Sequence, residues 1–356
     1  MVLRRFGLLG LLVVLSFLVG LFCPVGHLQA LEKKGDTYLL VYSDHNPPVA
    51  PPCRSAVRWL TEVVQKKTNN KVQFKVITGG ALLTEADIMR GVQSGIADMA
   101  LYVVNARDGF VGNMVVTLPF IGWPSREEAN AIYRKLMEKY PELRKEWTGV
   151  VPFAYSMMPE THIHTVKRAK VVKTPEDIKK LKILTTGEHT AIVKAMGATP
   201  VEVPIGDWYT ALERGVVDGC LNHFAVLKVF GMLELVPYHT VFPGGVNMVP
   251  VGVIMNEKTW NALPADIQKV FLETQHEFTN YLYHIEKTEW LDAAINFCKE
   301  KKHTFVEVSQ ADLEKWRALV KDEVTEKWIK EAESKGIPGR KIYEDMLNMV
   351  KAAIKK

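Results

Sequence analysis

The sequence predicts an α/β fold in which two lobes are bridged by one long helix. Strand-like and helix-like segments alternate along the chain in two successive blocks, an order that indicates parallel strands covered by helices. The chain has 356 residues, enough for two domains of ordinary size. Past Pro264, apolar residues recur at helical spacing for roughly thirty residues without Pro or Gly. A helix of that length is about 50 Å long and therefore must cross more than one compact lobe.

The first thirty residues have the pattern of an export signal. Arg4 and Arg5 give a basic start, residues 6–22 carry no charge, and a short polar stretch follows that ends in a small residue. This order is typical of a signal peptide, so residues 1–30 are predicted to be cleaved and the rest of the chain to be periplasmic. A single membrane anchor is the alternative. Lipidation at Cys23 is disfavoured because a bulky phenylalanine precedes it.

The rest of the chain has nearly balanced charge and few cysteines. Of the 45 basic residues, Arg4 and Arg5 leave with the signal peptide, so 43 basic and 40 acidic side chains remain. This balance does not indicate a nucleic-acid surface. Cys53, Cys220 and Cys298 are too few for a disulfide framework and lack the Cys-x-x-Cys spacing of a zinc site. Free buried thiols are expected, and one Cys53–Cys220 bridge is the alternative.

The first block, residues 31–155, is predicted to form most of lobe 1. Its strands are short apolar or alternating runs, and its helices have apolar residues along one side. The predicted strands are 37–43, 71–78 and 97–104, and the predicted helices are 53–68, 85–94 and 125–140.

The second block, residues 156–255, is predicted to form most of lobe 2 and to include strands that cross between the lobes. Thr174 starts a helix with a strong signal, since Pro175 and an acidic third position follow it. The predicted strands of residues 150–255 are 150–156, 161–166, 182–185, 199–203, 216–220 and 248–255. Residues 264–300 are predicted to form the helix that spans the lobes, and residues 301–356 to form C-terminal helices that pack on them.

No sequence motif indicates a catalytic centre. The sequence lacks a Gly-x-x-x-x-Gly-Lys loop, a Gly-x-Ser-x-Gly elbow and a His-Glu-x-x-His helix. His162 and His164 fall on one side of a strand, and with Glu188 or Asp207 they would offer three metal ligands. A polar strand face or a ligand-contacting pair is the simpler interpretation. Neither enzymatic activity nor a cofactor or metal is therefore predicted.

The segment 173–222 carries several motifs in a fixed order. They are Thr174-Pro175-Glu176-Asp177-Ile178, Leu181-Lys182-Ile183, Met196-Gly197-Ala198-Thr199-Pro200-Val201, Asp207-Trp208-Tyr209 with Ala211-Leu212, and Gly215-Val216-Val217-Asp218-Gly219 followed by Asn222. This order resembles the signature region of the DctP-type periplasmic binding proteins of tripartite ATP-independent periplasmic (TRAP) transporters. Leu118-Pro119-Phe120 and the stretch 256–264 extend the resemblance over nearly the whole chain after the signal peptide.

The resemblance implies a two-lobed periplasmic binding protein fold of type II-like architecture that closes on a ligand between its lobes. It implies a monomeric transport receptor whose partners are a small organic ligand and the membrane subunits of a TRAP permease, and not nucleic acid. The alternative functions are a ligand-binding subunit of a periplasmic sensor and an enzyme on the same scaffold.

Residues 182–184 depart from the family pattern. The resemblance implies an arginine at the position of Leu184, where a guanidinium would hold a ligand carboxylate through two parallel hydrogen bonds. A second arginine position of the family is occupied by His162, which titrates near neutral pH. The favoured hypothesis is therefore a ligand that is not a simple carboxylate but a neutral, aromatic or cationic compound. The alternative is an organic acid held by His162 and Asn222, with help from His164.

The resemblance also implies a set of ligand contacts near the ends of the strands. Trp208 is expected to replace the aromatic side chain that the family places at the position of Ile205, and Glu85 or Glu188 would face a cationic ligand. The predicted ligand-binding residues are His45, Asn46, Glu85, Tyr102, Val103, His162, Leu184, Gly187, Trp208, Asn222 and Asn247.

Overall fold

The computed structural model describes residues 32–185 and 187–355, without the side chains of Glu188 and Ile205. The predicted signal peptide and the side chain of Glu188 lie outside these described parts. Within them, no helix is both long enough and apolar enough to cross a lipid bilayer.

The strands form two sheets of six strands each. In chain order they are β1 (Glu32–Lys34), β2 (Thr37–Ser43), β3 (Val72–Ile77), β4 (Met99–Val103), β5 (Val150–Met157), β6 (His162–Thr165), β7 (Lys182–Leu184), β8 (Thr199–Val201), β9 (Gly219–Asn222), β10 (Tyr238–Val241), β11 (Pro250–Asn256) and β12 (Thr304–Glu307).

Helices cover both sheets and connect them. They are α1 (51–67), α2 (Ile88–Gln93), α3 (Arg126–Lys139), α4 (Pro141–Lys145), α5 (Pro175–Ile178), α6 (Gly187–Ala195), α7 (Trp208–Glu213), α8 (Phe224–Val229), α9 (Glu257–Ala262), α10 (265–300), α11 (310–334) and α12 (Gly339–Ile354). Short 3₁₀ helices lie at Glu85–Asp87, Ala106–Asp108, Gly112–Thr117, Ile205–Asp207 and Met232–Glu234. Helices α1, α10 and α11 each contain a wider π-helical turn, at Trp59–Val64, Glu286–Leu291 and Lys321–Glu326 respectively.

The first sheet, in lobe 1, has the strand order β1-β2-β4-β11-β5, and β3 pairs with the other edge of β2. Strand β2 runs parallel to both β3 and β4, as the β-α-β-α-β alternation predicts. Strands β5 and β11 are antiparallel to each other, and β11 is antiparallel to β4. Both come from the part of the chain that crosses between the lobes.

The second sheet, in lobe 2, has the order β12-β10-β6-β9-β7-β8. Strands β7, β8 and β9 are parallel, whereas β6 is antiparallel to β9 and β10. Strand β9 begins at Gly219, three residues later than predicted. Gly215 turns the chain with a φ of 77°, and the residues after it complete that turn before the strand begins.

Helix α10 bridges the lobes, as the sequence predicts. Its first half packs into the core of lobe 1, where Phe271 lies 5.9 Å from Trp59 between ring centroids. The indole N–H of Trp59 also donates to Thr274 Oγ1 at 3.0 Å. In its last part, Ala294 and Cys298 are buried in the core of lobe 2. The helix runs for about 54 Å at 1.5 Å per residue, so one continuous backbone spans the molecule.

The C-terminal helices also contact both lobes. The first part of α11 packs Leu313 and Trp316 against the lobe-2 core. Further on, Trp328 joins a cluster with Tyr133 of α3 and Met346 of α12. The lobes are therefore connected by packed helices on one side, which leaves the carboxyl ends of the parallel strands to face the space between them.

Candidate functional site

The carboxyl ends of the parallel strands in both sheets carry most of the predicted ligand contacts. In open α/β sheets this edge is where ligands usually bind. His45 and Asn46 follow β2, and Tyr102 lies near the end of β4. In lobe 2, Asn222 ends β9, and His162 is its directly paired neighbour at the start of the antiparallel β6.

A cavity of about 510 Å³ lies between the loops of the two lobes. Three of the predicted residues, Glu85, Gly187 and Asn247, line it. The rest of the lining is largely apolar and consists of Asn105, Ala106, Arg107, Phe110, Val111, Met114, Thr117, Leu118, Pro119, Ala191, Ile192, Val324, Trp328 and Glu331. This size and composition suit a small organic molecule with an apolar body.

The cavity wall in lobe 1 contains one ion pair that the sequence analysis did not identify. Arg107 lies in the 3₁₀ helix after β4, and its Nη2 is 3.7 Å from Glu85 Oε1. Both side chains are about half exposed, so solvent screens the pair and either group can turn toward a ligand. Nothing in the sequence marks Arg107, because its position depends on how the loop after β4 turns.

The loop after β2 is organised around a buried carboxylate. Asp44 accepts hydrogen bonds from Tyr42 Oη at 2.7 Å and from the backbone N–H of Asn46 at 2.8 Å. Burial raises the pKa of Asp44, and these hydrogen bonds oppose the rise. Next to it, Ser43 Oγ and His45 Nδ1 are buried and have no hydrogen-bond partner among the described residues. Buried polar atoms without protein partners are expected where a ligand or water binds.

Tyr102 is held by lobe 1 itself. Its hydroxyl donates to Asp108 Oδ2 at 2.9 Å, and its ring packs against Phe110 and Trp147. Burial and the Asp108 carboxylate raise the pKa of Tyr102, so the hydroxyl stays protonated. The neighbouring Val103 is partly buried against the lobe-1 core. Neither residue lines the 510 Å³ cavity.

His162 is a neutral hydrogen-bond donor in lobe 2. Its Nδ1 accepts from the backbone N–H of Phe242 at 3.4 Å, so the proton of the neutral ring is on Nε2. Burial lowers the pKa of His162 to about 4, and the ring therefore carries no charge at neutral pH. Asn222 lies opposite, and its Oδ1 accepts from the backbone N–H of His223 at 2.9 Å. The amide nitrogen of Asn222 is not used in that bond.

His223 adds a further neutral donor that the sequence analysis did not select. It caps α8, since its Nδ1 accepts from the backbone N–H of Val226 at 3.3 Å. The ring proton is therefore on Nε2 as well. The pKa of His223 is lowered to about 3. Burial is the largest cause, followed by the positive charge of Arg126 and by the neighbouring His189 and His162. The side-chain donors of His162, Asn222 and His223 are thus uncharged N–H groups, and none of the three residues lines the 510 Å³ cavity.

Asn247 connects the cavity to the strand that carries His162. Thr161 Oγ1 donates to Asn247 Oδ1 at 2.5 Å, and the backbone N–H of Thr161 donates to Asn247 O at 3.1 Å. Asn247 is buried, and its position beside the start of β6 is fixed by both bonds.

Leu184 and Trp208 lie in the core of lobe 2 and do not line the cavity. The indole N–H of Trp208 donates to the backbone oxygen of Val203 at 3.1 Å, and its ring lies 5.5 Å from Phe230. Leu184 is 2% exposed in the same cluster. Both therefore have packing roles in this structure, and their predicted ligand contacts stay predictions.

The hydrogen bonds of His164 do not favour a metal ion shared with His162. Its Nε2 lies 3.1 Å from the backbone oxygen of Asn222 and its Nδ1 lies 2.7 Å from Nδ1 of His239, so both ring nitrogens already have partners. The two histidine rings are edge-to-face with centroids 6.4 Å apart, and the side chain of Glu188, one of the third ligands considered, lies outside the described part of the structure.

Arg126 and Glu286 form a buried ion pair beside the lobe-2 donors. Arg126 Nη2 lies 2.5 Å from Glu286 Oε2 and also donates to the backbone oxygen of Met157 at 2.7 Å. The guanidinium stacks over Tyr283 at 4.4 Å from the ring centroid. This pair joins the start of α3 to the π-helical turn of α10. The sequence could not indicate it, because the partners are 160 residues apart.

The buried thiols are not activated as nucleophiles. Cys53, Cys220 and Cys298 are free, so the alternative Cys53–Cys220 bridge is not present in the described structure. Burial raises the pKa of Cys53 to about 12 and that of Cys298 to about 11. A thiol with a raised pKa is a poor nucleophile at neutral pH. None of these three thiols is therefore a good candidate for a nucleophile in covalent catalysis.

Comparison with known proteins identifies one family. Residues 44–331 match the model of the bacterial extracellular solute-binding proteins of family 7, also called DctP. The chain is 25% identical over 289 residues to the C4-dicarboxylate-binding periplasmic protein DctP of Rhodobacter capsulatus, which spans 79% of this chain and 84% of that protein. It is also 25% identical to a solute-binding protein of Verminephrobacter eiseniae, over 62% of this chain and 66% of that protein.

A solved structure has the same fold. It is a TRAP periplasmic solute-binding protein from Desulfovibrio salexigens in an open form, 27% identical, with a TM-score of 0.78. The similarity covers 88% of this chain and 96% of that one. The family and the two-lobed fold that the sequence predicts are therefore confirmed.

Proposed function

The chain belongs to the bacterial extracellular solute-binding proteins of family 7, and we propose that it is the receptor of a TRAP transporter. It captures a small organic ligand between its lobes outside the cytoplasmic membrane and delivers it to the membrane subunits of the permease. The similarity to the Desulfovibrio salexigens TRAP protein supports the choice of transporter. Export through a cleaved signal at residues 1–30 belongs to the same proposal.

The observation that carries the binding role is the pair of facing strand edges. Both lobes place polar side chains at the carboxyl ends of parallel strands, and an apolar cavity of about 510 Å³ lies between their loops. In lobe 1, Ser43 Oγ and His45 Nδ1 are buried without a described partner. An oxygen-bearing ligand would satisfy both atoms and offset the cost of burying them.

The ligand chemistry follows from the donors of lobe 2. His162 and His223 each carry a ring proton on Nε2, and Asn222 offers an amide nitrogen. Since Leu184 stands where the family pattern has arginine, lobe 2 lacks that fixed positive charge. We infer a ligand with a hydrogen-bond-accepting oxygen, such as a carbonyl or hydroxyl, and an apolar or aromatic body that fills the cavity.

An organic acid is the second candidate, and Arg107 is the observation that favours it. This guanidinium lines the cavity and could leave Glu85, 3.7 Å away, to bind a carboxylate from the side of lobe 1. The Rhodobacter capsulatus relative is named for binding C4-dicarboxylates, which supports considering an acid.

The test begins with the compound that co-purifies with the protein. We would denature the purified chain, identify the released compound by mass spectrometry, and titrate it back into ligand-free protein by calorimetry. Replacing His162 with Phe should weaken binding about 10- to 100-fold by removing one buried donor. Arg107→Gln should have little effect on a neutral ligand.

One control variant and two further outcomes separate the candidates. His276→Gln changes an exposed histidine on α10 and should leave affinity unchanged. If a plain carboxylate binds tightly, and Arg107→Gln weakens its binding while His162→Phe does not, the ligand is an acid and not a neutral compound. If no small molecule co-purifies and none binds in a screen of acids, amines, alcohols and aromatics, the receptor role itself fails.

A further inference from the structure

Three side chains that could ligate a metal meet in lobe 2. Cys298 is in the last turn of α10, His239 is on β10, and His303 precedes β12. One ligand atom from each lies within 4.8 Å of the others. His239 and Cys298 are fully buried, and His303 is partly exposed, which gives an ion a route from solvent.

The hydrogen bonds determine which ring nitrogens are available. His164 Nε2 lies 3.1 Å from the backbone oxygen of Asn222, which can only accept, so this nitrogen carries a proton. In the neutral ring, His164 Nδ1 is then an acceptor and takes the proton of His239 Nδ1, 2.7 Å away. Nε2 of His239 is left with a lone pair, and it points to the other two residues of the cluster.

The distances fit a tetrahedral ion. His239 Nε2 lies 2.9 Å from His303 Nδ1 and 3.5 Å from Cys298 Sγ. Around a tetrahedral zinc ion, two nitrogen ligands are about 3.3 Å apart, and a nitrogen and a sulfur ligand are about 3.6 Å apart. The nitrogen–sulfur distance is already suitable, and the two imidazoles would separate by roughly 0.4 Å.

The backbone holds the ligands in place. The N–H of His303 donates to the carbonyl oxygen of Cys298 at 2.9 Å, which closes the short turn between them. Strand β10 pairs with β12 on one side and with β6 on the other, so His239 is fixed by the sheet. The orienting bond from His239 to His164 is the outer-shell contact that metal-bound histidines usually make.

We propose that His239, Cys298 and His303 bind a zinc ion, with His164 orienting His239. On binding, Cys298 loses its thiol proton to solvent and forms the zinc–sulfur bond. Without the ion, His303 Nδ1–H donates to the lone pair of His239 Nε2, so on binding His303 releases that proton from Nδ1, takes one from solvent on Nε2, and binds the ion through Nδ1. A thiolate with two imidazoles is a ligand set that zinc favours, and a fourth position is left for water or another ligand.

The experiment uses the chain from residue 31 onward, treated with a chelator and freed of any affinity tag. Zinc affinity is measured by competition with a chromogenic zinc indicator, and the ligand set by cobalt substitution. We expect one zinc ion per chain, and a cobalt complex with thiolate-to-metal charge transfer and the intense visible bands of four-coordinate cobalt.

Matched variants assign the ion to the cluster. Cys298→Ala should abolish the charge-transfer band, His303→Asn should weaken zinc binding at least about a hundredfold, and His164→Gln about 10- to 100-fold. Cys53→Ala removes a buried free thiol in lobe 1 and should change nothing. Because His303 is partly exposed, His303→Asn should fold, and it can test the site even if Cys298→Ala does not fold.

A cobalt spectrum without the thiolate band would overturn the proposal. So would zinc binding that survives both Cys298→Ala and His303→Asn, because the ion would then be held elsewhere, for example by exposed histidines. The cluster would in that case be a chain of hydrogen-bonded imidazoles.

Discussion

Removing the charge of Glu286 should destabilise the protein strongly. The side chains of Glu286 and Arg126 are only 6% and 13% exposed, and Glu286 is the carboxylate that pairs with Arg126, 2.5 Å away. Glu286→Leu leaves a buried guanidinium that cannot lose its proton, at a cost of about 3–5 kcal/mol. For a chain of this size we expect the melting temperature to fall by about 4–7 °C.

The same ion pair can be removed as a unit. Arg126→Met with Glu286→Leu leaves no unpaired charge. The backbone oxygen of Met157 loses both Arg126 donors and keeps only the longer bond from Ser156 Oγ at 3.3 Å, so about 1–3 kcal/mol of the loss should remain. Glu289→Leu is the control. Glu289 lies on α10 about one turn after Glu286 and pairs with Arg54 of α1, and the two side chains are 46% and 32% exposed respectively. This exposed pair should contribute no more than about 1 kcal/mol.

Thermal and urea unfolding followed by circular dichroism measure these differences. Two results would contradict a strong effect of the buried charge: a loss of stability in Glu286→Leu no larger than in Glu289→Leu, or a double variant no more stable than Glu286→Leu alone.

The pH dependence of Arg126→Met gives a second readout of this pair. Burial raises the pKa of Glu286, and the attraction of Arg126 opposes that rise. Without Arg126 the pKa rises further. A carboxyl whose folded pKa is raised contributes its full stability below its unfolded pKa and loses it as pH increases. The stability deficit of Arg126→Met relative to the wild type should therefore grow from about pH 4.5 to pH 8.

Two further predictions concern packing in lobe 2. Trp208→Phe removes the hydrogen bond to Val203 O and should lower the free energy of unfolding by about 1 kcal/mol while leaving ligand affinity unchanged. A Kd that is tenfold weaker in calorimetry would instead show that Trp208 contacts the ligand. Gly219→Ala should lower the free energy of unfolding in urea by at least about 1–3 kcal/mol, because a Cβ there would lie 2.2 Å from His164 O. Gly206→Ala is the control, since the space around its Cβ is open. Equal losses in the two variants would contradict the close packing at Gly219.

The sequence predicts the fold well because the decisive signals are local. Apolar periodicity identifies α10, and the capping box at Thr174 is present as expected, with Asp177 Oδ2 accepting from the backbone N–H of Thr174. The order of strands and helices then predicts parallel pairing, since consecutive βαβ units have few alternatives. The boundaries of strands and helices are harder to predict, as the late start of β9 shows, because the same short run of residues can form either a turn or a strand.

The site is harder to predict because its geometry depends on contacts distant in sequence. Three of the predicted contacts, Glu85, Gly187 and Asn247, line the cavity, but position in a motif does not reveal which face of the sheet holds Leu184 or Trp208. Arg107 lines the cavity only because of the loop after β4.

The histidine–cysteine cluster shows the same limit more strongly. His164 meets His239 across the β6–β10 pairing, 75 residues apart, and His239 meets His303 because β12 joins the same sheet. No spacing rule along the chain would bring these residues together. Only the strand order does.

Proton-linked calorimetry would show directly whether a ligand between the lobes is held by uncharged donors of lobe 2. The co-purified ligand is titrated at one pH in buffers of different ionisation enthalpy. Because the pKa of His162 is about 4 in the free protein, a neutral imidazole donor should take up no proton, and Kd should be nearly constant from about pH 5.5 to 8. Uptake of about one proton per ligand, with affinity increasing as pH falls, would show that binding creates a charged histidine and would contradict the claim.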